Sequence, residues 1–111
     1  MNNIIWNDFE RVLLCAGTVL AAEELPAAHV PAYVLTIDFG PFGHRRSSAR
    51  ITERYSKEAL IGRQVIAVLN FPPKQIGKVI SECLVTGLPD ADGAIILARP
   101  EQPVPNGSRL C

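Results

Sequence analysis

Residues 63–73, RQVIAVLNFPP, leave this chain little freedom in how it folds. A β-branched, nearly continuous apolar run is the pattern of a central strand. It ends at Asn70, because Pro72 and Pro73 have no backbone N–H to offer a sheet. The next apolar run, CLVTGL, starts at Cys83, so a polar loop carrying Lys74, Gln75, Lys78, Ser81 and Glu82 joins two strands. The helical patterns elsewhere in the chain are too short to serve as parallel crossovers, which predicts an antiparallel sheet. A Pro-stiffened polar loop between buried strands is where a β-scaffold tends to carry a binding surface.

The remaining elements fit the same plan. Asn7 and Asp8 can cap a short helix over Phe9–Val12, with Trp6 and Phe9 on one apolar face that covers an end of the core or helps to dimerise the protein. LLCAGTVLAAEEL reads as a long strand bent or bulged at Gly17. A Pro-bounded loop, PAAHVP, holds His29, read as a solvated loop residue. AYVLTIDFG alternates, with Tyr33, Leu35, Ile37 and Phe39 on one face and Val34, Thr36 and Asp38 on the other. After a turn at Gly40, Pro41 and Gly43, HRRSSARI returns as a strand with at least one wet, basic face. SKEALIG is a short helix with Ser56 as N-cap and Gly62 past its end. Asp92-Gly93 between two apolar runs marks a hairpin, and Asn106-Gly107 a tight turn in the tail. The expectation is one all-β domain over residues 1–111, a small five-stranded antiparallel barrel with short helices at the N-terminus and after strand 3.

Several function classes lack their residues. There is no GxSxG, P-loop or GxGxxG, and only two histidines, so nothing supports a catalytic constellation or a cofactor site. Cys15, Cys83 and Cys111 are odd in number and widely spaced, which supports neither a zinc site nor a disulfide framework and fits reduced cytoplasmic thiols. No stretch has the length of a membrane span, and MNNIIWN is too short for a signal peptide.

Formal net charge is zero over the 111 residues. Its distribution is uneven: residues 44–78 hold eight Lys and Arg against Glu53 and Glu58, whereas the rest of the chain is acidic. Such asymmetry either gives a neutral protein one positive face or scatters over all faces once folded. Arginines and Lys74 can neutralise phosphates, and Ser47, Ser48, Asn70 and Ser81 can bond to phosphate or base edges. Each has a plainer alternative: the serines as a polar strand face, Asn70 as a cap on its own loop. Phe42 and Phe71 either stack on an unpaired base or anchor the structure. Glu82 reads a base, orients Lys74 or lies on the solvent side.

The segments VLLCAGTVLAAEEL, TIDFG, HRRSSARIT, SKEALIGRQV, NFPPKQIGKVISE and PVPNGSRL, in that order, resemble the CsaA family over residues 8–110. CsaA proteins are small members of the EMAP-II-like tRNA-binding group. The broader group carries an Asn-Leu-Lys-Pro loop and a Ser followed by Met; here the corresponding positions are Asn70-Phe71-Pro72-Pro73-Lys74 and Ser81-Glu82-Cys83-Leu84. Its His-Pro and Ser-Gly pairs become Leu25-Pro26 and Ser47-Ser48, departures that favour the CsaA branch over a synthetase appendage. The resemblance implies an OB-fold Greek-key barrel and a cytoplasmic homodimer built with extensions 1–12 and 100–111. It also implies non-catalytic, structure-selective tRNA binding through Arg46, Ser47, Asn70, Lys74, Gln75, Ser81 and Glu82, or an export-related chaperone role toward unfolded preproteins or export machinery. It implies no cofactor, no metal and no membrane insertion.

Overall fold

In the computed structural model, which describes residues 1–25 and 29–111, an 11-residue strand β1 (Leu14–Glu24) organises the barrel by pairing along both edges. Its first half runs against β4 (Gln64–Val68), from Leu14↔Val68 to Thr18↔Gln64. Its second half runs against β2 (Tyr33–Asp38), from Thr18↔Asp38 to Glu24↔Tyr33. β2 in turn pairs with β3 (His44–Ala49), and β4 with the two-residue β7 (Leu84–Val85). The order β3-β2-β1-β4-β7, antiparallel throughout, places the fourth strand beside the first after a 1-2-3 meander, which is a Greek key. The fold is therefore the all-β, OB-like, nearly closed barrel expected from the sequence.

Alternation along β2 decides which side faces inward. Tyr33, Leu35, Ile37 and Phe39 are all buried and meet Val19, Leu60 and Val65 in the core. Helix α1 (Trp6–Glu10) precedes the barrel, and α2 (Lys57–Leu60) follows β3 with the Ser56 hydroxyl accepting from Ala59 N at 3.2 Å. β8 (Gly87–Pro89) and β9 (Ile95–Leu97) form the Asp92-Gly93 hairpin, where Gly93 takes φ +85°.

Three expectations are corrected. Gly17 is not the bend: the register of β1 shifts between Val19 and Ala21, and Gly17 instead makes room for Phe39, whose ring carbons lie 2.6 Å from where a Cβ would stand. Trp6 and Phe9 pack on each other, with ring centroids 5.2 Å apart, but α1 has no buried residue and Trp6 is 64% exposed, so this face does not cover the core. Residues 70–82 are not one loop, since β5 (Lys74–Ile76) and β6 (Val79–Ser81) form a hairpin turned at Gly77, φ +59°. The 100–111 extension is ordered on its own barrel: Ala16 exchanges backbone bonds with Gly107 (2.8 Å) and Ser108 (2.9 Å), and Leu110 N donates to Leu14 O. This takes the β1 edge that β2 leaves free. Residues 26–28 of the Pro-bounded loop lie outside the described residues, and His29 is exposed, as expected.

Candidate nucleic-acid interface

The barrel's fifth strand is short, and its seam with β3 is closed largely by side chains. Glu82 N donates to Arg46 O at 2.7 Å while Arg46 N donates to the Glu82 carboxylate at 3.1 Å. Next to it, Ser48 N donates to Ser81 Oγ at 3.2 Å, and Ser81 Oγ donates to Cys83 O at 3.3 Å. Two residues expected to touch a ligand are thus engaged as substitutes for ladder bonds.

Along this seam runs a groove of about 510 Å³, lined by Ser48, Phe71, Pro72, Lys74, Ile76, Ser81, Cys83 and Leu84. Phe71 and Leu84 are 55% and 50% exposed, so its apolar lining is open to solvent. Lys74 faces Ser81 in the hairpin register, and Arg46 is bonded to Glu82, one residue further on. Lys74 lines this apolar trough, and the exposed Arg46 shares the outward face of β3 with Ser48, which lines it too. Gln75 is exposed beside Lys74, its amide donating to Gly77 O at 2.7 Å and holding the hairpin turn.

The expected site residues divide accordingly. Arg46, Lys74 and Gln75 all reach the surface, and of the three Lys74 lines the groove. Ser47 does not: it is 0% exposed and donates to Ser48 O, because β3 alternates and Arg45, Ser47 and Ala49 point inward. Ser48, on the outward face with Arg46, is the serine that lines the groove. Asn70 stands at the mouth of the Phe71-Pro72 segment with both amide atoms bonded to backbone, Oδ1 accepting from Leu13 N and Nδ2 donating to Arg11 O. Phe42 and Trp6 are not among the lining residues. Sequence reasoning did not pick Ile76 and Leu84, which lie in strands of three and two residues, too short to show a period.

The basic block of residues 44–78 does not gather on one face. Arg54 is held by Asp90 (3.0 Å) and Asp92 (3.2 Å), Arg45 donates to Leu69 O, and the Arg63 guanidinium sits 5.2 Å over the Tyr55 ring. Arg46, Arg50, Lys57, Lys74 and Lys78 make no ion pair among the described residues. Cys83, at the base of the groove, is no reactive thiol, since burial pushes its pKa up to about 11 against smaller lowering by Ser47 and Arg45. No cluster of His, Cys, Asp or Glu among the described residues could hold a metal, and no described helix is long and apolar enough to cross a membrane.

An OB-like barrel with a groove between a side hairpin and its last strand defines a class, and the comparisons agree. The chain belongs to the tRNA-binding domain family, whose model, described as "Putative tRNA binding domain", matches residues 14–109. Within it the chain belongs with the CsaA proteins. A crystal structure of the chaperone CsaA from Bacillus anthracis is 46% identical, with a TM-score of 0.91, over 99% of this chain and 100% of that one. A CsaA chaperone protein from Picrophilus torridus is 40% identical, with a TM-score of 0.90, over 98% and 100%. Methionine–tRNA ligase of Porphyromonas gingivalis is 32% identical over 108 residues, 97% of this chain but 16% of the ligase. The chain thus spans about a sixth of the length of the curated relatives it matches. The matching family is one of tRNA-binding domains and CsaA chaperones, not a catalytic one.

Proposed function

We propose that this protein is a non-catalytic, cytoplasmic tRNA-binding module that grips its ligand in the seam groove. The observation that carries this reading is the groove itself: Lys74 lines an open apolar trough presenting Phe71, and the exposed Arg46 shares the outward β3 face with the lining Ser48. Such cations engage backbone phosphates while an exposed aromatic ring stacks on an unpaired base, a contact of roughly 1–3 kcal/mol. Both favour a folded RNA that displays a loop base beside a curved backbone. Ser48 supplies an uncharged hydrogen-bonding group in the same lining.

The test is a tRNA titration at about 50 and 200 mM salt, with an unstructured RNA of equal length as competitor. Wild type should bind the folded RNA preferentially and lose affinity steeply with salt. Lys74→Ala should bind more weakly and shallow the salt slope by about one. Salt-insensitive binding, or an unchanged slope in the variant, refutes the placement.

A second reading draws on the same trough. Its lining by Phe71, Pro72, Ile76 and Leu84 suits an apolar stretch of an unfolded or precursor polypeptide, the chaperone and export role that the CsaA names suggest. That role predicts salt-tolerant suppression of aggregation of a denatured client, lost in Phe71→Ser. For assembly, the exposed Ile4, Ile5 and Trp6 around α1 support a homodimer in which this N-terminal segment meets a second copy. Sedimentation of wild type against Trp6→Ser checks it, the variant being expected to dissociate.

A further inference from the structure

Asn70 carries an inference that reverses its expected role. The β1–β4 ladder ends with Leu69 N donating to Leu13 O at 2.9 Å. Beyond it, residues 10–12 and 70–72 exchange no backbone hydrogen bond. At this point the Asn70 carboxamide, chemically a peptide group on a side chain, takes the place of the missing main chain. Its Oδ1 accepts from Leu13 N at 2.9 Å, and its Nδ2 donates to Arg11 O at 2.7 Å. The carbonyl oxygen and the NH2 group are both occupied by backbone 57 and 59 residues away in sequence.

We propose that Asn70 is a positioning residue, not an RNA contact: it fastens the Phe71-Pro72 edge of the groove to the segment that carries α1. The chain order leaves no slack. Arg11 is the residue after α1, Asn70 is the residue before Phe71, and Phe71 and Pro72 line the groove. Helix α1 has no buried residue, and the Asn70 bond to Arg11 O and the Arg109 bond to Glu10 O both fasten its C-terminal end to the barrel. Any event that moves α1, such as docking of a second copy on Ile5 and Trp6, is thereby transmitted to Phe71. The inference deepens the tRNA-binding reading and rests on it for the groove's ligand.

The experiment uses the full-length protein, wild type, Asn70→Ala and Asn70→Asp, with two readouts. The first, without RNA, is hydrogen exchange at the Leu13 amide. It should quicken in Asn70→Ala and stay protected in Asn70→Asp, which keeps the acceptor. The second is a tRNA titration followed by NMR of the Asn70 side-chain NH2. Positioning predicts that this pair of resonances stays in place when RNA is added, while Asn70→Ala loses affinity about tenfold. That loss corresponds to the cost of ordering roughly one extra backbone residue on binding. Asn70→Asp, with its carboxylate against Arg11 O, should fall between the two. A large RNA-induced shift of the Asn70 NH2, or unchanged tRNA affinity in Asn70→Ala, overturns the proposal. If wild type binds no tRNA, the binding reading fails, and Leu13 exchange alone decides the clamp: unaltered exchange in Asn70→Ala rejects it.

Discussion

Replacing Gly17 by alanine tests whether this barrel is limited by space or by backbone shape. A Cβ at position 17 would stand 2.6 Å from Cδ1 and Cε1 of Phe39 and 2.7 Å from Cγ2 of Ile37. Phe39 and Ile37 are both 0% exposed, so neither can swing into solvent to relieve the contact. Phe39 is also tied at its backbone, its N–H donating to Gly43 O at 3.0 Å and its carbonyl accepting from Phe42 N at 3.3 Å. Overpacking of this kind costs about 1–3 kcal/mol, partly offset by the roughly 0.5–1 kcal/mol that alanine gains over glycine in a strand. The net expectation is about 1–2 kcal/mol, or a fall in Tm of roughly 5–10 °C for a domain of this size. The assay is thermal unfolding of Gly17→Ala, Phe39→Leu and the double variant. Gly17 is not among the glycines at positive φ, so the penalty should be steric and should shrink by about 1 kcal/mol once Phe39 is shortened. An unchanged Tm in Gly17→Ala refutes the reasoning outright. Equal costs in both backgrounds would show that glycine is required there for backbone shape.

Other perturbations reach the groove and the hairpins. Glu82→Ala removes the acceptor for Arg46 N–H and should cost about 0.5–1.5 kcal/mol while speeding exchange of the Arg46 amide; Glu82→Gln, which keeps an oxygen there, should do neither. Cys83 holds its proton to about pH 11 when folded, whereas the unfolded thiol loses it near 9.0, so the unfolded state binds fewer protons between those values. Stability should therefore fall as pH rises from about 9 to 11, and the fall should be shallower in Cys83→Ala; parallel urea midpoints for both proteins across that window would contradict it. Asp90 feels some desolvation upward, but Arg54 and the backbone amides of Asp92 and Ala94 hold its pKa below the usual 3.8. Its contribution is present above that value and should fade as pH falls further, an acid sensitivity that Arg54→Gln should reduce in a pH titration of Tm. Ser56→Ala should lower stability by about 1 kcal/mol through loss of the α2 cap, measured by denaturant unfolding.

Much of the barrel is legible in the amino-acid order because its longer strands obey simple periods. The buried set Tyr33, Leu35, Ile37, Phe39 follows from alternation, and the Asp92-Gly93 hairpin and Ser56 cap from local turn and helix chemistry. The β5–β6 hairpin is not legible in the same way. Its strands are three residues each, and Lys74-Gln75-Ile76 has no apolar alternation to distinguish it from a loop. Gly17 misleads because a strand glycine signals either a bend or a close approach, and only the position of Phe39 decides between them.

The candidate site shows the same division. Lys74 and Arg46 can be placed on a wet surface from charge alone. The inward turn of Ser47 depends on a one-residue phase of β3, which a strand with few large apolar residues does not declare. The bonds of Asn70, Ser81 and Glu82 run to backbone far away in sequence, at Leu13, Ser48 and Arg46, so no local pattern announces them. Arg54 leaves the basic block for the same reason, its partners Asp90 and Asp92 lying 36 and 38 residues away.

The seam between β3 and the 81–83 segment has a mechanical consequence. A cylinder fastened along one line by a carboxylate and a hydroxyl yields first along that line, and the groove lies directly over it. A ligand touching Ser48 on one lip and Lys74 on the other would act as a suture, drawing the two lips together. Occupancy should then stiffen the whole cylinder, raising Tm with ligand concentration and slowing amide exchange on β3, far beyond the few residues touched.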